Sequence, residues 1–160
     1  MKSINPIPHT LAAARRQQGL AMVEFAIGAP VLLLLLLAIG EFGRMLSHYN
    51  QLLQGSRDAA RYVASHAMNS TLGRIDLNGS LQGTAQSLVV YGAPSQGGRS
   101  AILPGLTTGM VQVSTVNAEH IQVRVTYTFR PVIGAALPGF FGNDMPLNIP
   151  LTATTVMRAL

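Results

Sequence analysis

The chain has no cysteine, and only 11% of its 160 residues are charged, six of them acidic. Without thiols it can form neither a disulfide staple nor a thiolate metal site. The four histidines, His9, His48, His66 and His120, have no pairwise spacing that suits a metal. There is no GxSxG or HExxH motif and no paired-carboxylate constellation. Gly97, Gly98 and Arg99 sit in a glycine-rich stretch, but the lysine and the flanking strand and helix of a phosphate loop are missing. The sequence therefore points away from enzymes, and no cofactor, metal or small-molecule substrate is expected. The formal net charge of +5 is also uneven: Lys2, Arg15 and Arg16 precede residue 20 with no acid among them. Beyond that point eight basic and six acidic side chains nearly balance, which is no footprint for nucleic acid.

What the chain does have is one long apolar run. From Leu20 to Gly40 the sequence LAMVEFAIGAPVLLLLLLAIG holds a single charge, Glu24. At about 1.5 Å per residue a helix of this length crosses roughly 30 Å of hydrocarbon, so the segment is expected to lie in a lipid bilayer. The basic flank orients it, N-terminus in the cytoplasm and the rest outside. A carboxylate in such a span costs about 2.5–3.5 kcal/mol at the centre, less near an end, and calls for a positive partner. No Lys or Arg lies inside the span. Cleavage after Gly19 would create a cation: the new α-amine of Leu20, with a reference pKa of about 8, would stand one helical turn from Glu24. It could neutralise Glu24 within the chain or from a neighbouring helix.

These residues resemble a known pattern. A short basic leader ending in Gly19, then Glu24 fifth and Phe25 sixth in the mature chain, then an apolar helix, is similar to the type IV prepilins. More narrowly, Gly19, Glu24, Phe25, Pro30, the leucine run, Glu41, Phe42, Arg44, Tyr49, Asn50 and the triplet Ala59, Ala60, Arg61 resemble the TadE-like pseudopilins of tight adherence (Flp-type) pilus systems. The likeness is dense over roughly the first 65 residues and faint afterwards. It implies a cytoplasmic leader, 1–19, removed by a prepilin peptidase that reads Gly19, Leu20, Glu24 and Phe25. A transmembrane segment, 20–40, and an exported pilin-like domain, 41–160, would follow, with Glu24, Pro30 and Glu41 serving helix assembly. The implied partners are the peptidase, other pilin or pseudopilin subunits, inner-membrane pilus machinery and the lipid bilayer. The implied location is the bacterial inner membrane, single-pass, with the C-terminal domain periplasmic or extracellular. Major Flp-type pilins are much shorter, so the large domain argues for a minor, accessory subunit. Two other outcomes stay open. One is an uncleaved single-pass protein with a periplasmic binding domain. The other is a secreted domain beginning at Glu41, since Ala38, Ile39 and Gly40 satisfy the small-residue rule for signal cleavage.

The remaining elements follow from periodicity. Met1 to Ala14, with Pro6 and Pro8, reads as a disordered leader. Pro30, helped by Gly28, is expected to kink or locally open the span. Helix is expected to continue to about His66, because Met45, Tyr49, Leu52, Ala59 and Val63, with Leu46, Leu53 and Ala60 beside them, recur at three- and four-residue steps. Arg44, His48, Asn50, Gln51, Gln54, Arg57, Asp58 and Arg61 occupy the other faces. Met68 to Gly83 reads as loop, and a short helix is expected over Gly83–Tyr91 with Thr84 as a cap candidate. Val111 and Val113, then Ile121 through Phe129, then Leu147 through Ala153 alternate as strands, with Pro150 confining the last to an edge or its own beginning. Phe140 and Phe141 look exposed in the crossing between. The expected fold is α+β and pilin-like: a long N-terminal helix packed on an antiparallel sheet of three or four strands, plus a short second helix.

Overall fold

The computed structural model describes residues 10–69, 73–132, 136–137, 145–146 and 148–160, with side chains from residue 19 on except in 133–147. In chain order come helix α1 (Thr10–His66), strands β1 (Met68–Asn69) and β2 (Arg74–Ile75), helix α2 (Gly79–Tyr91) and a 3-10 turn (Thr108–Met110). Strands β3 (Val111–Thr115), β4 (His120–Phe129), β5 (Ala136–Leu137), β6 (Met145–Pro146) and β7 (Ile149–Arg158) complete it. The chain divides into two units, Met1–Gly40 and Glu41–Leu160.

The first unit is the N-terminal part of α1. Helix begins at Thr10, so residues 10–14, expected to be irregular, are helical; LAAA supplies strong helix formers there. Residues 1–9 lie outside the described part. From Leu20 to Ile39 the large apolar side chains are exposed on every side, Leu20 and Phe25 among them. A helix greasy all round that its own chain leaves uncovered needs lipid or other helices around it. By length and composition it can cross a membrane. Helix is maintained through Pro30, which removes one backbone bond from the ladder.

In the second unit α1 becomes one-sided. Leu52, Ser56, Ala59, Ala60, Val63 and Ala64 turn into a core shared with α2 and the sheet. Met45, Tyr49 and Leu53 pack at its margin, as the stripe predicted, but Leu46 faces outward and is 49% exposed. Arg57, Asp58 and Arg61 are solvated. Gly55 was missed: a Cβ there would stand 3.3 Å from the Val89 carbonyl oxygen of α2, so glycine is what lets the two helices approach. Ser56 adds a buried hydroxyl that donates to the Leu53 carbonyl at 2.9 Å and meets the Thr155 hydroxyl of β7 at 2.8 Å.

Helix α2 starts at Gly79, four residues earlier than its apolar spacing suggested. Its cap is Asn78, whose Oδ1 accepts the Leu81 N–H at 2.8 Å, and not Thr84, whose hydroxyl donates to the Ser80 carbonyl. Gly92 ends it in the left-handed conformation, φ 64°, and its N–H returns to the Leu88 carbonyl. Within the stretch read as loop, Met68 pairs with Ile75 and Asn69 with Arg74 in a two-residue ladder.

The main sheet has the order β3-β4-β7, antiparallel throughout. Ile121, Val123, Val125, Tyr127 and Phe129 of β4 are buried, while Arg124, Thr126 and Thr128 face water, as their alternation required. Asn117 closes the β3–β4 turn by accepting the Glu119 and His120 N–H groups at 3.0 and 2.8 Å. β7 is the edge strand, with Pro150 as its second residue opposite Thr128; it runs on to Arg158, beyond the alternation seen in sequence. A separate ladder pairs Ala136 with Pro146. Phe140 and Phe141 lie outside the described residues. The architecture is α+β: a long apolar N-terminal helix packed on a three-strand antiparallel sheet, with a second short helix.

Gly55→Leu is expected to destabilise the Glu41–Leu160 unit by about 2 kcal/mol through overpacking against Val89. Gly43→Leu, where no atom lies within 4 Å, should stay within about 0.5 kcal/mol. Chemical denaturation of the full chain in detergent, followed by circular dichroism, measures both.

Candidate functional site

The residues that sequence singled out near the N-terminus all lie on α1. Gly19 has no neighbouring atom within 4 Å of where a Cβ would stand, and Leu20 and Phe25 are 72% and 71% exposed. The Gly19–Leu20 bond is within the helix and open on its surface. Ala21, Glu24, Phe25, Gly28, Ala29 and Leu32 together line one shallow, mostly apolar groove along a single helix face. Glu24 is the one acid of that face, and none of the ion pairs among the described residues includes it. The small Ala21, Gly28 and Ala29 leave room on this face for another helix to approach.

A second constellation stands at the start of the second unit, where α1 first meets the sheet. Glu41 and Arg44, one turn apart, form an ion pair of 2.7 Å. Each also holds the chain leaving β4: Arg44 Nη2 donates to the Arg130 carbonyl at 2.7 Å, and Glu41 Oε1 accepts the Val132 N–H at 2.9 Å. The Arg44 guanidinium lies 4.5 Å from the centre of the Phe129 ring, a cation–π contact worth about 0.5–2 kcal/mol. One turn on, His48 packs edge-on against Phe129 at 5.4 Å and Tyr127 at 6.0 Å between centroids. Tyr127 is itself fixed by donating to the Pro104 carbonyl at 3.0 Å. The Nδ1 of His48 is buried without a hydrogen-bond partner among the described residues.

That environment disfavours the imidazolium. Burial lowers the His48 pKa from 6.5, the Arg44 charge lowers it further, and Glu41 opposes both. Sequence reasoning had placed Arg44 and His48 on the outward faces of α1; the structure turns both toward β4. Their polarity hid this, since an Arg that stacks on a ring and a His that fills an aromatic corner read as solvated residues in a helical wheel. Glu41, expected in helix assembly, is engaged inside its own chain. No group of three or more potential ligands suited to a metal occurs among the described residues.

The matched family covers these same helical residues. Residues 19–61 match the family model described as TadE-like protein. The N-terminal region is TadE-like. The TadE-like stretch begins at Gly19 and includes Glu24, Phe25, Pro30, Glu41, Arg44 and His48, so both constellations contribute helix residues to it. Their partners Tyr127, Phe129 and Arg130 come from outside it. No curated protein and no solved structure gives a significant match to the chain.

The His48 shift has a definite sign. A base whose folded pKa is depressed takes up its proton more readily when unfolded, so stability is full above about pH 6.5 and falls as pH drops through 6.5 toward the lower folded value. His48→Phe should remove this part of the acid dependence, seen as a smaller loss of melting temperature between pH 7 and pH 5.

Proposed function

We propose that this protein is a membrane-anchored minor pseudopilin of a tight adherence (Flp-type) pilus assembly system. A prepilin peptidase cuts it on the cytoplasmic side between Gly19 and Leu20, and the Glu41–Leu160 unit is exported. The observation that carries the reading is the conjunction at the start of the TadE-like segment: Gly19 on an open helix surface, followed by an unpaired Glu24 on an otherwise apolar helix. The TadE-like match supports a structural component of pilus assembly over an enzyme.

In this reading Gly19 supplies the small residue at the scissile bond, and Leu20, Glu24 and Phe25 complete the recognition pattern. After the cut, the Leu20 amine pairs with Glu24 of its own or a neighbouring helix, setting the register between subunits. Basic residues on the leader side keep that flank in the cytoplasm. Glu41, by joining Arg44 and Val132, ties the first turn of α1 in the Glu41–Leu160 unit to the segment after β4.

N-terminal sequencing of the protein purified from membranes tests the cleavage: Leu20 is the expected first residue. Met1 retained in the membrane fraction would indicate an uncut anchor, and a soluble form beginning at Glu41 a secreted domain; either defeats the proposal. Glu24→Ala should leave cleavage intact while abolishing assembly or partner capture. Piliation at the wild-type level in that variant would refute the charge-pairing step.

A further inference from the structure

The corner where α1 meets the end of β4 combines a grip on the backbone with a side chain that can take up a proton. Arg44 Nη2 donates to the Arg130 carbonyl at 2.7 Å, and Glu41 Oε1 accepts the Val132 N–H at 2.9 Å. Side chains one helical turn apart thus hold the backbone on either side of Pro131. Neither bond belongs to a sheet ladder, since β4 ends at Phe129. The grip depends on the Glu41–Arg44 ion pair, 2.7 Å, and on the Phe129 ring that carries the Arg44 guanidinium. His48 stands one turn further along the same face, edge-on to that ring and to Tyr127.

A proton added to His48 works against each part of this grip. The ring then carries an N–H at both nitrogens, and its Nδ1 is buried with no acceptor among the described residues. The imidazolium is also a second cation one turn from Arg44, and like charges at that spacing repel. Glu41 is the acid whose charge favours the imidazolium, and a carboxylate drawn toward His48 is drawn away from Arg44 and Val132. The remaining polar groups at the corner do not offset these effects. On β4 the Tyr127 hydroxyl is committed to the Pro104 carbonyl, and past β4 the exposed Arg130 brings only further positive charge.

The rest of the unit is shielded from this change. From Leu52 on, the core face of α1 consists of Leu52, Ser56, Ala59, Ala60 and Val63, none of them titratable in this range, and β4 is paired with β7 over its whole length.

We propose that Glu41, Arg44 and His48 form an acid-released clasp: a proton on His48 frees the Arg130–Val132 backbone from α1 while the sheet and the helical core stay folded. The direction follows from linkage. The closed clasp disfavours the proton, so the open form gains as pH falls below 6.5. Such openings are local and cost less than unfolding the domain. The clasp lies wholly within the Glu41–Leu160 unit and does not depend on the cut at Gly19.

Hydrogen exchange of the full-length protein in detergent, read residue by residue at pH 7 and pH 5 and divided by the intrinsic rate at each pH, tests it. The Val132 amide, whose bond to Glu41 breaks on opening, should lose about tenfold in protection at pH 5. Val123 and Val125, in the middle strand of the sheet, should keep theirs. His48→Phe and His48→Gln, neutral at both pH values, should leave Val132 protected at pH 5. Equal protection of wild-type Val132 at the two pH values overturns the proposal. So does a loss shared by Val123 and Val125, which reports general unfolding. A loss at Val132 that survives in both His48 variants places the trigger on the Glu41 carboxylate and overturns it as well.

Discussion

A single carboxylate, Glu24, on the otherwise apolar Leu20–Gly40 stretch of α1 is the constraint to which the rest of the molecule answers. In hydrocarbon such a group is tolerated only with a partner, and the described chain supplies none to Glu24. The chain thus contains an unmet electrostatic requirement at one end and a well-satisfied core at the other.

The second unit meets its own requirements internally. On α1 its core combines the small Gly55, Ser56, Ala59, Ala60 and Ala64, which bring the two helices and the sheet close, with Leu52 and Val63, which fill the space between them. At the point where α1 first touches the sheet, charge takes over from apolar packing: Glu41 and Arg44 pair, and each also holds a backbone group of the segment after β4. The polar cluster stands there and the apolar cluster further along, after turns that are long and apolar enough to cross a membrane.

Much of this architecture could be read from residue order. The β4 alternation from Ile121 to Phe129 named its buried face correctly, because a strand with one wet side leaves a period-two record. The long apolar helix needed only its length and composition. What stayed hidden depends on contacts between distant residues. Asn78 as a cap was obscured by a run of Gly, Asn and Ser that reads as loop until the helix is seen to start there. The inward turn of Arg44 and His48 depends on Phe129 and Tyr127, more than 75 residues away in the chain, and helical periodicity sorts such residues by polarity alone. Gly55 carries no apolar side chain to mark it within the stripe; only the position of Val89 gives it a purpose.

That contact with Val89 also bears on how the helix behaves as a mechanical part. Rotating α1 by one residue, about 100°, would replace the bare Cα of Gly55 with the side chain of Gln54 or Ser56 against a carbonyl that a Cβ at position 55 would already approach to 3.3 Å. α2 therefore acts as a key in a slot, favouring one angular setting of α1 within the second unit. Torque applied to the helix would be resisted there rather than dissipated by slippage.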